Sequence, residues 1–142
     1  MFVAPVKEKP YSSFVFADTL NVDSGTTVTL LDVKGVGYVD VFQIKIPSGT
    51  IKANEVLKIT IDGNVFTISF NTILNVSTPI ISEVRGHKGW NLVCKDTTGN
   101  TLCFSYNGII NFSSSIKIEF NNQNTSAETI SYFISVMIER RM

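Results

Sequence analysis

Ile59-Thr60-Ile61-Asp62-Gly63-Asn64-Val65-Phe66-Thr67-Ile68 consists of two alternating apolar runs joined by turn residues. Asp-Gly and Gly-Asn both suit the positive φ angles of a two-residue hairpin turn. With either turn, Leu57, Ile59 and Ile61 share a face with Phe66, Ile68 and Phe70, whereas a three-residue loop would throw one set to the other side. The segment is expected to be a tight β-hairpin with one apolar face.

The same pattern continues outward in both directions. Alternating or β-branched runs occupy Tyr11 to Ala17, Thr26 to Lys34, Tyr38 to Ile46, Val56 to Asp62, Val65 to Phe70, Pro79 to Val84, Trp90 to Lys95, Thr101 to Tyr106, Ser115 to Phe120 and Ile130 to Glu139. Each is short and bounded by Gly, Asn, Asp, Ser or Pro, as strands and turns are. No window offers an amphipathic helix of three turns, and the best candidate, Thr50 to Leu57, is at most one turn. The expectation is an all-β chain folded as an antiparallel β-sandwich of about 8–10 strands, with the jelly roll among its possible forms. The chain of 142 residues is long enough to bury one core without disulfides or a metal, so residues 11–142 are read as a single domain. Residues 1–10, interrupted by Pro5 and Pro10, are read as an N-terminal arm that docks onto a neighbour.

A second hairpin, Asn91 to Tyr106, contains both cysteines. Placing Leu92 and Cys94 on the same face as Leu102 and Phe104 requires a three-residue loop with Gly99 left-handed, which sends Cys94 and Cys103 to opposite faces. A two- or four-residue loop would put them directly across from each other. Free thiols are the favoured reading. In the last run, Ile130, Tyr132, Ile134, Val136 and Ile138 form an apolar face backed by Ser131, Phe133, Ser135, Met137 and Glu139. Two readings fit this half-apolar back: a strand covered partly by a neighbouring chain, or a central strand with some exposed apolar groups.

Composition narrows the function classes. Twelve basic and twelve acidic side chains cancel and the lysines are scattered, so no nucleic-acid partner is expected. No run approaches the roughly 20 apolar residues of a membrane helix, and the first ten residues lack a secretory pattern. Synthesis in the cytoplasm without export is the expectation. Charged residues make up 17% of the chain, below the roughly 25% of an average domain, which points to surface buried against other subunits.

A search for chemistry yields no catalytic, cofactor-binding or metal residue. His87, the only histidine, lies between glycines in Gly86-His87-Lys88-Gly89 and has no nucleophile partner in a motif. Asp18, Asn21 and Asp23 before Gly25 are oxygen-rich, but they fail the EF-hand spacing and read as turn residues. Gly35-Val36-Gly37 lacks the third glycine of a dinucleotide fingerprint and reads as a bulge or bend. Trp90 reads as a core residue at a strand start, or else, with Tyr106, as an aromatic facing a sugar or receptor. The triplets at Asn75, Asn111 and Asn124 match a glycosylation pattern by accident.

Leu30-Leu31-Asp32-Val33-Lys34-Gly35-Val36-Gly37-Tyr38-Val39, followed by Leu57-Lys58-Ile59-Thr60-Ile61-Asp62-Gly63, resembles a pattern in small β modules of tailed-bacteriophage virion proteins. In that pattern a strand ends in a Gly-x-Gly-Tyr turn, a second strand follows, and an Asp-Gly hairpin comes next. The resemblance covers about a quarter of the chain. It implies a non-enzymatic virion structural protein of head-decoration, neck, tail or fibre type, a homo-oligomer contacting a major capsid or tail protein, and it carries no catalytic residues. The alternative is a carbohydrate- or receptor-binding adhesin module.

Overall fold

The protein is represented by a computed structural model that describes residues 10–46, 55–70, 90–96, 101–106 and 108–140, with the backbone alone for 90–96 and 101–104. Ten strands lie among the described residues: β1 (Tyr11–Val22), β2 (Thr27–Lys34), β3 (Gly37–Ile46), β4 (Glu55–Ile61), β5 (Asn64–Ser69), β6 (Trp90–Asp96), β7 (Thr101–Tyr106), β8 (Ile110–Phe112), β9 (Ser115–Asn122) and β10 (Glu128–Glu139). They form two sheets. Sheet A runs β1-β10-β3-β7-β6, with β8 also on β3, and sheet B runs β2-β9-β4-β5. Each described pairing is antiparallel.

The order follows from nested pairs. β1 pairs with β10, β2 with β9, β3 with β7 and β4 with β5, so the chain is one long folded-back ribbon. Successive pairs fall in alternate sheets, which rolls the ribbon into a sandwich. This is jelly-roll topology. The expected all-β antiparallel sandwich is present, in that form.

The inner faces explain why the sheets close. β9 alternates strictly, burying Ile116, Ile118 and Phe120, and β4 buries Leu57 and Ile59 beside it. From sheet A, Phe42, Ile44, Ile130, Ile134 and Val136 join the same core. Phe70 and Phe120 meet in a tilted ring contact at 5.9 Å. A bulge between Thr29 and Leu31 lets the consecutive Leu30 and Leu31 both turn inward. Burying side chains of this size contributes roughly 1.5–3 kcal/mol each, the main favourable term in such a fold.

The hairpin that opened the sequence reading has a two-residue turn. Ile61 pairs with Asn64, and Asp62 and Gly63 both have positive φ, 52° and 85°. Of the two turns that fitted the sequence, Asp-Gly is the one used, and Leu57 faces Ile68 while Ile59 faces Phe66 as expected. Gly35-Val36-Gly37 carries the chain from sheet B to sheet A, a bend as read. A Cβ on Gly37 would collide with the Met137 carbonyl oxygen of β10, so close backbone approach dictates glycine there.

One expectation is overturned, one is extended, and one short strand is new. The Asn91–Tyr106 hairpin does not have a three-residue loop: Asp96 pairs with Thr101, leaving four residues between them, and Cys94 pairs with Cys103. A bulge between Leu92 and Cys94 absorbs the extra residue and keeps Leu92 opposite Phe104, a device that apolar matching alone does not reveal. β1 runs on from Ala17 to Val22, because Leu20 and Val22 keep the alternation through the polar Asp18 and Thr19. The three-residue β8 is too short to have a sequence signature. Finally, β10 lies between β1 and β3, a central strand of its sheet, with Phe133 on its outer face 40% exposed. The expected strand at Pro79 to Val84, His87, Asn75 and all but the last residue of the arm at 1–10 lie outside the described residues.

Candidate functional site

The two outer faces of the sandwich differ in chemistry. On sheet B, Asp32 lies opposite Lys117 and Lys58 opposite Glu119 across neighbouring strands. Lys117 also reaches Glu119 at 3.9 Å along β9. These are solvated charge pairs, worth only about a few tenths of a kcal/mol each, and the edge strand β5 beside them leaves Val65 and Phe66 55% and 56% exposed. On sheet A the strand registers bring Val15, Ala17, Phe133, Val41, Met137 and Tyr38 onto one outer face. Val15 is 57% and Phe133 40% exposed, and Tyr11 meets Tyr38 edge-on at 5.5 Å. Ser13, Ser135 and Gln43 share this face, Asp40 stands exposed at the bulge beside Val41, and the charged Lys45 and Glu139 lie at its far ends. Scattered exposed apolar residues are ordinary, but a contiguous patch flanked by a polar rim marks an interaction surface.

The ends of β4 carry the notable electrostatics. At the turn, Asp62 accepts hydrogen bonds from the backbone N–H groups of Ser113, Ser114 and Ser115 at 2.6–3.1 Å, and from the Ser114 hydroxyl at 3.0 Å. The Ser113 amide, followed by those of Ser115 and Ser114, lowers its pKa from 3.8 to about 2. At the other end, Asn124 Nδ2 donates to Glu55 Oε2 at 3.0 Å and to Glu128 Oε2 at 2.7 Å. Glu55, Glu128 and Asn124 are 0%, 3% and 4% exposed. Glu55 Oε1 and Asn124 Oδ1 have no hydrogen-bond partner.

The loop beneath this trio is firmly held. Asn122, fully buried, donates to the carbonyls of Val22 and Ser126 and accepts from the Asn124 amide at 2.9 Å. Ser24 Oγ donates to the Asn124 carbonyl, and Gly25 N to that of Asn122. Sequence reading passed over these residues, yet a signal was present. Glu55 is in phase with Leu57 and Ile59, Asn122 with Phe120, and Glu128 with Ile130, so all three polar residues stand in core-facing register.

The residues weighed from sequence are not brought together. Asp18 sits on β1 opposite Tyr132, and its Oδ1 accepts the Thr19 amide at 2.7 Å. Burial, then the Asp18 charge, pushes the Tyr132 phenol up. The Asp23 carbonyl accepts from Thr26 N and Oγ1, ordinary turn chemistry as expected. Tyr106 is packed against the core and burial raises its phenol pKa, which fits poorly with a ligand-facing aromatic. Trp90 begins β6, but its side chain lies outside the described residues. Among the described residues no group of three or more His, Cys, Asp or Glu is gathered for a metal.

No protein-family model and no curated protein sequence matches the chain. Among solved structures, it is similar to that of the infectious bursal disease virus Gt strain, at TM-score 0.42 and 15% identity over 98% of this chain and 37% of that one. A second similarity, to the crystal structure of the infectious bursal disease virus VP2 subviral particle, has TM-score 0.39 and 15% identity over 91% and 32% of the two chains. The chain thus spans about a third of the length of either neighbour. Likenesses of this size decide neither ancestry nor role, and the jelly roll stands on the strand pairing alone.

Proposed function

We propose that this chain is a non-enzymatic structural subunit of a virus particle, assembling with copies of itself and with other virion proteins. The observation that carries the reading is the group of exposed apolar side chains at the middle of sheet A's outer face, Val15 at 57% and Phe133 at 40%, where the corresponding strands of sheet B present Asp32, Lys58, Lys117 and Glu119. Jelly rolls build capsid and lectin domains alike, and fold alone does not choose between them. An apolar face around Val15, Phe133 and Val41 supports assembly through sheet A, where burying it would draw on the same hydrophobic term that closes the core. The finer assignment, a head-decoration, neck or tail component of a tailed bacteriophage, is supported by the resemblance at residues 30–39 and 57–63. A glycan-binding module has no comparable support, since Tyr106 packs inward.

The test is the solution mass of the purified protein, alone and mixed with candidate capsid or tail proteins. A closed oligomer that dissociates in the variant Val15→Glu/Phe133→Glu, with the fold intact by circular dichroism, is the expected result. A strict monomer that binds no particle component would overturn the reading.

A further inference from the structure

We propose that Glu55, Glu128 and Asn124 form a binding site for one divalent cation of the calcium type, which bolts sheet B to sheet A. The three residues come from separate places: Glu55 opens β4 in sheet B, Glu128 opens β10 in sheet A, and Asn124 sits in the connection between β9 and β10. All three are at least 96% buried and converge on the Asn124 amide. A carboxyl group taken out of water beside a neutral amide, as at Glu55, is under-compensated, because a buried charge needs a counter-charge as well as hydrogen bonds.

The unanswered acceptors point to the kind of ligand. Glu55 Oε1 and Asn124 Oδ1 lack any donor, and no ion pair reaches Glu55. Glu128 has a further interaction of its own, so the deficit belongs to Glu55 and Asn124. A single shared proton answers at most one of these oxygens. A hard cation answers them together, since Ca²⁺ takes roughly 6–8 oxygen ligands at about 2.3–2.6 Å in irregular geometry and accepts carboxylates and amide carbonyls alike. A half-turn of the Asn124 amide exchanges Nδ2 for Oδ1 between the two acids, converting a shared donor into a shared ligand. The backbone that carries Asn124 is already fixed by Asn122, Ser24 and Gly25, so little ordering remains to be done on binding.

The site is tested on the full chain, stripped with EDTA and dialysed. In equilibrium dialysis with CaCl₂ it is expected to take up one calcium per chain, and its melting temperature to rise by roughly 5–10 °C at saturating metal over the EDTA sample. Glu55→Gln/Glu128→Gln is expected to abolish both effects. Asn124→Asp, which adds ligand charge without changing shape, is expected to bind calcium at least about tenfold more tightly while melting lower in EDTA. Should the double variant fail to fold, the Asn124→Asp arm alone decides. No calcium uptake by the wild-type chain, uptake that persists in a folded double variant, or no tightening in Asn124→Asp would each overturn the proposal. A double variant that melts higher than a wild-type chain that takes up no calcium would likewise overturn it, showing two buried acids that cost stability with no metal to answer them.

Discussion

Strand β4 has an acid at either end, in opposite circumstances. Asp62, just past the last residue of β4, stands in solvent and collects three backbone amides and a hydroxyl. Glu55, the first residue of β4, is fully buried and receives one amide hydrogen bond, shared with Glu128. Both join elements that are distant in sequence, Asp62 to the link between β8 and β9, and Glu55 to the link between β9 and β10. The exposed end is saturated with donors although water could have served it. The buried end is short of them although water cannot reach it. Structural need explains Asp62 completely, whereas Glu55 keeps a buried carboxyl oxygen with no donor.

Three substitutions probe this contrast. The largest effect is expected from Asn122→Ala, which strands the Val22 and Ser126 carbonyls and the Asn124 amide behind a buried alanine. Loss of stability of about 3 kcal/mol or more in urea titrations is expected. Hydrogen exchange should accelerate across residues 122–128 while the amides of Ser113–Ser115 keep their protection. Equal acceleration at both ends would mean that the two ends of β4 are not separate devices.

Gly63→Ala strikes the other end. With φ at 85°, alanine there is expected to cost about 1–2 kcal/mol, and loosening the turn should let the Asp62 pKa climb back toward 3.8 in an NMR titration. An unchanged Asp62 pKa would show that Ser113–Ser115 hold the carboxylate without help from the turn.

The smallest effect is expected from Asp62→Asn, whose site is open to solvent. Folding lowers the Asp62 pKa, so its stabilisation is full above 3.8 and fades as the pH falls through about 2. The variant should melt slightly below wild type at pH 7, with the gap closing between pH 4 and pH 2. A gap that widened on acidification would contradict the hydrogen-bond origin of the shift.

The contrast between the ends of β4 also shows what the sequence made legible. The Asp62-Gly63 hairpin could be read because its information is local: turn residues and two apolar faces lie within a dozen positions. The jelly roll was readable only as a class, since the nesting of β1 with β10 and β2 with β9 joins segments that no local pattern connects. The cysteine hairpin was misread because a bulge and a longer loop compensate each other, leaving the Leu92–Phe104 match intact under a different count. The Glu55–Asn124–Glu128 trio was missed for a different reason. Each residue looks like ordinary turn or surface chemistry, and Asn124 was even absorbed into a chance glycosylation triplet. Only their shared phase with apolar neighbours marks them as buried, and only the fold makes them meet.

The nesting of β1 with β10 has a consequence in time. Val15 pairs with Ser135, about 120 positions further on, so β1 has no ladder partner while the intervening chain is being made. At roughly 5–20 residues per second, the ribosome leaves Phe14-Val15-Phe16 waiting for about 6–25 seconds. During that interval an apolar strand with no lysine or proline is open to any passing strand, the situation that chaperones exist to manage. Sheet A is therefore completed late, and the yield of folded subunits should depend on how crowded the nascent chains are as much as on how stable the finished sandwich is.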